Sequence, residues 1–450
     1  VADDDQEPLV VDWRAPVAEP FYRATGRSPM GLVRRRHFAT RGRKLLGVED
    51  ELFGDGAGLL QEGGSLDGEP EVRGHGALIA ALEESRTGKM GDIIGTIQGE
   101  QDEIIRSPLQ GVLVVQGGPG TGKTVVALHR AAYLLYTHRF PLEDQGVLVL
   151  GPNRLFVGYI ERVLPSLGEA GVQLAVLADL VDDVDIQGYE APHVARVKGD
   201  KRMSDVLAKA IRDRERPLRE PLSIGYGLQT LTLTPDQTGE IVRQGRRRFR
   251  NHNAARRFVE SRVYEALANS GRNQLSPAEV RERLRGNTDV RAALERMWPV
   301  LTPAELLHDL FGSQALIDLA ARKHLDKAER AALHRPRQDD VDKVTWSHND
   351  VPLLDEARER LGPRPRRRRD QVEEEIRTYG HIVVDEAQDL SPMQLKMLTR
   401  RSLNGSMTVV GDIAQSTGQW AHASWDEVLE LLPDRHPPRR AELTIGYRLP

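Results

Sequence analysis

The sequence contains no cysteine, and that absence excludes disulfides, thiolate-bound zinc and cysteine nucleophiles together. It fits a reducing cytoplasm, the expected location. No apolar run approaches the length of a membrane span, and no secretory signal opens the chain. An excess of positive charge is missing as well. The 63 Lys and Arg against 67 Asp and Glu leave a formal charge of −4, so the chain as a whole is not a basic, nucleic-acid-coating protein. Among the 13 histidines, His129 and His138 show no metal-ligand spacing and read as packing or surface residues. No Ser/His/Asp constellation stands out, and no segment repeats.

What is present begins with length. At 450 residues the chain suggests roughly three structural units. Its start at Val1 and its stop within Gly446-Tyr447-Arg448-Leu449-Pro450 read as those of a piece of a larger protein. Short strands are expected over 10–13 and 31–38, with proline-bearing turns between them. A glycine-rich, acidic linker follows over 54–76, then helices over 77–88 and 97–106. Residues 111–115, 146–150, 381–385 and 407–411 are continuous apolar runs, the pattern of parallel strands buried on both faces. Helical segments separate them, which gives an α/β fold with a mostly parallel sheet. The gap between the second and third runs is too long for one crossover and must hold an insertion. Thr234-Pro235, Ser276-Pro277 and Thr302-Pro303 each pair a hydroxyl N-cap with proline at N1 and Gln or Glu at N3, so the insertion is mainly helical.

The stretch Gly117-Gly118-Pro119-Gly120-Thr121-Gly122-Lys123-Thr124 follows the first buried strand and precedes a helical segment. Glycines let successive N–H groups turn toward an anion without Cβ obstruction, and the helix N-terminus adds a favourable dipole. Lys123 supplies a mobile charge for β- and γ-phosphates, and the Thr124 hydroxyl is a magnesium ligand. A ligand-free turn would not explain why Lys and Thr close it. Gly117, Gly118, Gly120, Thr121, Gly122, Lys123 and Thr124 are therefore the candidate phosphate site.

A second cluster, Asp385-Glu386-Ala387-Gln388-Asp389, ends the third buried strand. Asp385 is expected to hold magnesium through water, and Glu386 to orient or deprotonate the attacking water. Gly411-Asp412-Ile413-Ala414-Gln415-Ser416 is again strand then polar turn, and its uncharged Gln415 can sense a γ-phosphate oxygen or the lytic water. Arg448 is the candidate arginine finger.

Taken in order, Gln101, the P-loop, the acidic cluster, the Gln415 turn and Tyr447-Arg448 resemble superfamily 1 helicases of the UvrD/Rep type, over residues 95–155 and 380–450. The resemblance implies a RecA-like ATPase domain that uses ATP and Mg2+, with GTP left open. It also implies that Gln101 reads the adenine edge, that Gln415 couples the γ-phosphate to a nucleic-acid site, and that Tyr447 and Arg448 complete the nucleotide site. The domains expected are then an N-terminal β-containing region (1–75), a split RecA-like domain (76–170 and 346–450) and the helical insertion (171–345).

A narrower similarity rests on Val11-Asp12-Trp13-Arg14-Ala15-Pro16, Phe21-Tyr22, Arg34-Arg35-Arg36-His37-Phe38, the run 97–106 and His129-Arg130-Ala131-Ala132-Tyr133-Leu134-Leu135-Tyr136. These look like HelD. HelD-like proteins are bacterial ATPases that bind core RNA polymerase and release stalled or post-termination complexes, and some members are linked to rifamycin resistance. In that family an N-terminal coiled coil enters the secondary channel and the insertion enters the main channel to open the clamp. By that resemblance the coiled coil would lie before Val1 and a second RecA-like domain beyond Pro450.

Departures from the helicase pattern bear on the choice. Gly151-Pro152-Asn153-Arg154-Leu155-Phe156 replaces a Thr- and Ala-rich DNA-contacting segment, Val125 replaces a phosphate-contacting Arg, and only Trp420 survives as a base stacker. Nucleotide chemistry reads as intact and strand tracking as eroded. The preferred reading is a polymerase remodeller. The alternatives are a superfamily 1 DNA helicase in repair or replication, and a channel-occupying protein that uses nucleotide only structurally. Between Ile241 and Arg262, eight arginines accompany one carboxylate, Glu260, on an expected helix. They read either as phosphate or acidic-surface contacts or as a solvated face. Trp13 and Trp298 read as core.

Overall fold

The computed structural model describes residues 10–24, 28–41, 44–52, 99–163, 171–181, 184–365, 376–416 and 418–444. The expected linker 54–76, helix 77–88 and Tyr447-Arg448 lie outside these residues. In chain order the strands are β1 (Arg34–Arg41), β2 (Lys44–Leu52), β3 (Val112–Gly117), β4 (Val147–Leu150), β5 (Val172–Ala175) and β6 (Ile186–Gly188). There follow β7 (Leu222–Tyr226), β8 (Gln229–Leu233), β9 (Trp346–Ser347), β10 (His381–Val384), β11 (Met407–Gly411) and β12 (Arg439–Leu443).

Six of them form one parallel sheet in the order β12-β3-β11-β10-β4-β5. The four central strands are the four continuous apolar runs. Because side chains alternate across a strand, each run feeds two cores. Val112, Val114, Leu148, Leu150, Ile382, Val384 and Val409 enter one, while Leu113, Val115, Val147, Val149, Val383 and Val410 enter the other. The second face is covered by the P-loop helix, Lys123–Thr137, through Val126, Ala127, Ala131 and Leu134. The two edge strands were not anticipated. β5 and β12 are only partly buried and carry polar residues, as edges of a sheet do. β5 also pairs with β4 from within the stretch expected to open the insertion.

The rest of residues 176–361 divides between two cores. Helices Met203–Arg212, Pro303–Phe311 and Val351–Leu361 pack on the first face of the sheet through Val206, Leu207, Leu306, Leu307, Leu353 and Leu354. The β7–β8 hairpin and helices Pro235–Arg248, His252–Asn269, Pro277–Leu284 and Thr288–Met297 enclose a separate core around Val259, Val263, Tyr264 and Trp298. Trp298 is 1% exposed, and its Nε1 donates to the His252 carbonyl at 2.8 Å, so it is core as expected. Thr234 and Thr302 close capping boxes. Ser276 starts its helix behind Pro277 but makes no side-chain cap bond.

Two local expectations are corrected. Residues 10–13 are a bend and turn, not a strand: Asp12 accepts the backbone N–H of Arg14 at 2.9 Å, and its carbonyl accepts Ala15 N–H at 3.0 Å. The arginine-rich stretch is two helices broken at 249–251, not one. Two of its arginines are structural. Arg246 pairs with Glu215 at 2.8 Å, and Arg256 pairs with Glu295 at 2.6 Å while donating to the Leu294 carbonyl at 3.0 Å. The expected strand 31–38 begins at Arg34 and forms an antiparallel hairpin with β2.

Candidate nucleotide site

The C-terminal ends of β3, β10 and β11, neighbours in the sheet, bring the candidate residues to one edge. After β3 the chain turns through Gly120 (φ 73°) and Gly122 (φ 84°), left-handed backbone that favours glycine, and enters the P-loop helix at Lys123. A Cβ on Gly117 would stand 2.5 Å from the Thr121 hydroxyl, which itself donates to the Gly118 carbonyl at 2.9 Å. Only glycine lets the loop close this tightly. Lys123 Nζ donates to the carbonyls of Gly117 (2.6 Å) and Gly118 (3.0 Å), so a mobile cation lies across the loop.

Thr124 and Asp385, 261 positions apart in sequence, meet directly: the threonine hydroxyl donates to Asp385 Oδ2 at 2.7 Å. Burial pushes the Asp385 carboxyl up to about 6. The Thr124 hydrogen bond opposes that shift, and the neighbouring Glu386 charge adds to it. The Lys123 charge also pulls the carboxyl down, but not enough to offset its burial and the second acid beside it. This oxygen-donor pair suits a small hard cation such as Mg2+.

Glu386 sits at φ 50°, a left-handed conformation that costs a non-glycine residue energy and is typical of functional turns. Its carboxylate accepts from Gln388 Nε2 at 2.8 Å. Gln388 is 2% exposed and in turn accepts the Asp412 N–H at 3.2 Å, tying the end of β10 to the end of β11. A Cβ on Gly411 would overlap the Gln388 amide, so that glycine keeps the tie possible. Asp412 then gathers Gln415 Nε2 (2.8 Å) and Gln116 Nε2 (2.7 Å), the latter from β3. Gln116 also accepts from Ile413 N–H at 3.1 Å and Trp425 Nε1 at 2.8 Å. The acidic pair, the Gln415 turn and the strand before the P-loop are therefore one hydrogen-bonded unit.

Sequence reasoning missed Gln116, Gln388 and Asp412 as connectors. Their signal was a polar residue at the end of each apolar run, but their partners follow only from the strand order. Gln101 lies buried on the helix Gly99–Ile105, which packs against the P-loop helix. The neighbouring Glu100 accepts the Thr444 hydroxyl at 2.9 Å, just after β12. Trp420, the surviving stacker, is half-buried, and its indole lies over Gly199 beside Ser391. Asn153, in the departed segment, accepts Phe156 N–H at 2.9 Å and so starts a helix rather than offering a strand contact.

A parallel sheet with a phosphate loop and an acidic pair at adjoining strand ends defines a RecA-like domain of the P-loop nucleotide-binding class. The family model for the N-terminal domain of UvrD/REP helicases matches residues 97–151 and 240–435, and the chain belongs to that family. The family model for the N-terminal domain of DNA helicase IV, HelD, matches residues 1–64, so the chain is a HelD-like, UvrD-related superfamily 1 protein. No curated protein matches the chain. The family uses ATP and Mg2+ generally, and the match lends no support to GTP. No described helix is long and apolar enough to cross a membrane.

Proposed function

We propose that the chain is the nucleotide-binding part of an ATP-hydrolysing cytoplasmic factor that binds core RNA polymerase, opens its clamp and releases nucleic acid from stalled or post-termination complexes. The observation that carries the motor is the 2.7 Å contact between Thr124 and Asp385, which joins the P-loop to the acidic pair. Lys123 exchanges its loop carbonyls for the β- and γ-phosphates. Thr124 and Asp385 would hold Mg2+, which when bound supplies positive charge against the phosphates. Glu386 takes the proton of the attacking water. Gln415 passes the γ-phosphate state into the Asp412 network, Gln101 reads the adenine edge, and Tyr447 and Arg448 complete the site.

Two observations support remodelling over strand tracking. One is the HelD resemblance of the N-terminal region, which implies a polymerase partner and where the family model matches residues 1–64. The other is Trp420, packed over Gly199 instead of standing free for a base. Co-purification with core RNA polymerase at moderate salt is expected to give a complex, and Glu386→Gln is expected to bind but not release. Absence of a complex would remove the reading. Vigorous unwinding of tailed duplexes without polymerase would select the helicase instead.

A further inference from the structure

A buried arginine is costly unless its charge is met. Arg130, on the P-loop helix, is 0% exposed and forms no ion pair among the described residues. Backbone oxygens meet it instead. Nη1 donates to the carbonyls of Ile104 (3.1 Å), Ile105 (3.0 Å) and Ser107 (2.6 Å), and Nη2 to Pro108 (2.9 Å). These belong to the last turn of the Gln101 helix and the link to β3, where the helix dipole leaves partial negative charge. Arg439 takes the Pro108 and Gln110 carbonyls, both at 2.6 Å, and the Ser406 hydroxyl takes Leu109. The link is held by its own carbonyls.

The other side of the arginine is anchored in the sheet. Arg130 Nε donates to the Thr408 hydroxyl at 2.9 Å. That hydroxyl lies 3.0 Å from His381 Nε2, and His381 Nδ1 lies 2.7 Å from the Ser406 hydroxyl. Only one direction satisfies every group: Thr408 donates to a neutral His381, whose Nδ1–H donates to Ser406, which donates to Leu109. Burial and the adjacent Arg130 charge both disfavour a protonated His381. Five segments are thereby fixed to one another.

We propose that Arg130 is a positioning residue for base recognition. It locks the helix carrying Gln101 onto the helix carrying Lys123 and Thr124, and so sets the spacing between the adenine and phosphate ends of one nucleotide. Gln101 lies one turn before Ile105, and Lys123 about two turns before Arg130, so the guanidinium joins both at short lever arms. The inference rests on the reading of Gln101 and the P-loop given above.

The test compares binding of Mg·ATP, Mg·GTP and Mg·tripolyphosphate to the wild type, Arg130→Lys and Thr408→Val, with thermal melting as the fold control. Lysine keeps the charge but loses the planar fork. Valine keeps Arg130 itself and removes its Nε acceptor, together with the hydroxyl that meets His381 Nε2. Arg130→Lys is expected to weaken ATP on the order of tenfold and erode its preference over GTP, with tripolyphosphate changed less than about twofold. Thr408→Val should move the same way by less. An unchanged ATP preference in both variants, or equal weakening of all three ligands, overturns the inference. Gln101→Ala separates it from its premise. If that change leaves base preference intact, the reading of Gln101 fails and the inference with it. If it abolishes the preference while Arg130→Lys keeps it, Arg130 alone is wrong.

Discussion

The P-loop helix carries a cation at each end of the central sheet. Lys123 lies over two loop carbonyls at the C-terminal end, and Arg130 lies under β11 at the N-terminal end, holding four. Both cations have met backbone oxygens, yet their situations differ in what each could do next. Lys123 is half-buried and can exchange its carbonyls for a phosphate without leaving them dry. Arg130 is sealed, and the Ile105 and Ser107 carbonyls it meets would be stranded if it moved. Polar groups that close on one another make a foundation, whereas polar groups with a removable partner make a site.

The largest expected effect breaks the top end alone. Lys123→Ala should lower ATP turnover roughly 100- to 1,000-fold and leave the melting temperature essentially unchanged, as steady-state hydrolysis and calorimetry would check. Arg130→Ala should strike the fold itself, beyond the weakened ATP binding expected of Arg130→Lys. Leaving the Ile105 and Ser107 carbonyls without their donor inside a sealed site should cost about 3 kcal/mol or more of stability in denaturant titration. If the two substitutions gave the same profile, the contrast between the ends would fail.

Acid probes the sealed side more gently. Burial holds the His129 imidazole down to about 4, and its ring lies edge-on to Trp13 at 5.2 Å. His381 is likewise held low by burial. Both are neutral in the fold and charge more readily once unfolded. Their stabilisation is therefore complete above about pH 6.5 and is lost as pH falls below it. Between pH 7.5 and 5, His129 should account for on the order of 2 kcal/mol of lost stability, and His129→Leu should flatten that slope. The smallest effect distinguishes caps. Thr302→Ala should cost about 1 kcal/mol, and Ser276→Ala only a few tenths, because Thr302 accepts Glu305 N–H at 3.1 Å and Ser276 accepts nothing.

The four central strands and the phosphate loop were legible because burial on both faces and anion binding each demand a residue pattern in consecutive positions. Edge strands β5 and β12 were not, since an edge needs neither face fully apolar. Val10-Val11-Asp12-Trp13 looked like a strand by composition, but the Asp12 side chain offers its neighbour a turn. Of the candidate site, Lys123, Thr124, Asp385 and Glu386 could be picked out directly. Gln116, Gln388 and Asp412 could not, because each finds its partner across strands that are adjacent only in space. Arg130 stands within the segment resembling HelD, yet nothing in that segment reveals that its partners are carbonyls 22 to 26 positions upstream.

The separate core around Trp298 has a practical corollary. Its two ends meet at a seam, where the Arg216 N–H reaches the Met297 carbonyl at 3.0 Å. Splicing 216 to 299 with a short connector would excise that whole lobe while sparing both faces of the parallel sheet. Cutting at 171 and 345 instead would tear away β5 and strip one face bare. The lobe is the natural cassette to delete, transplant or tag.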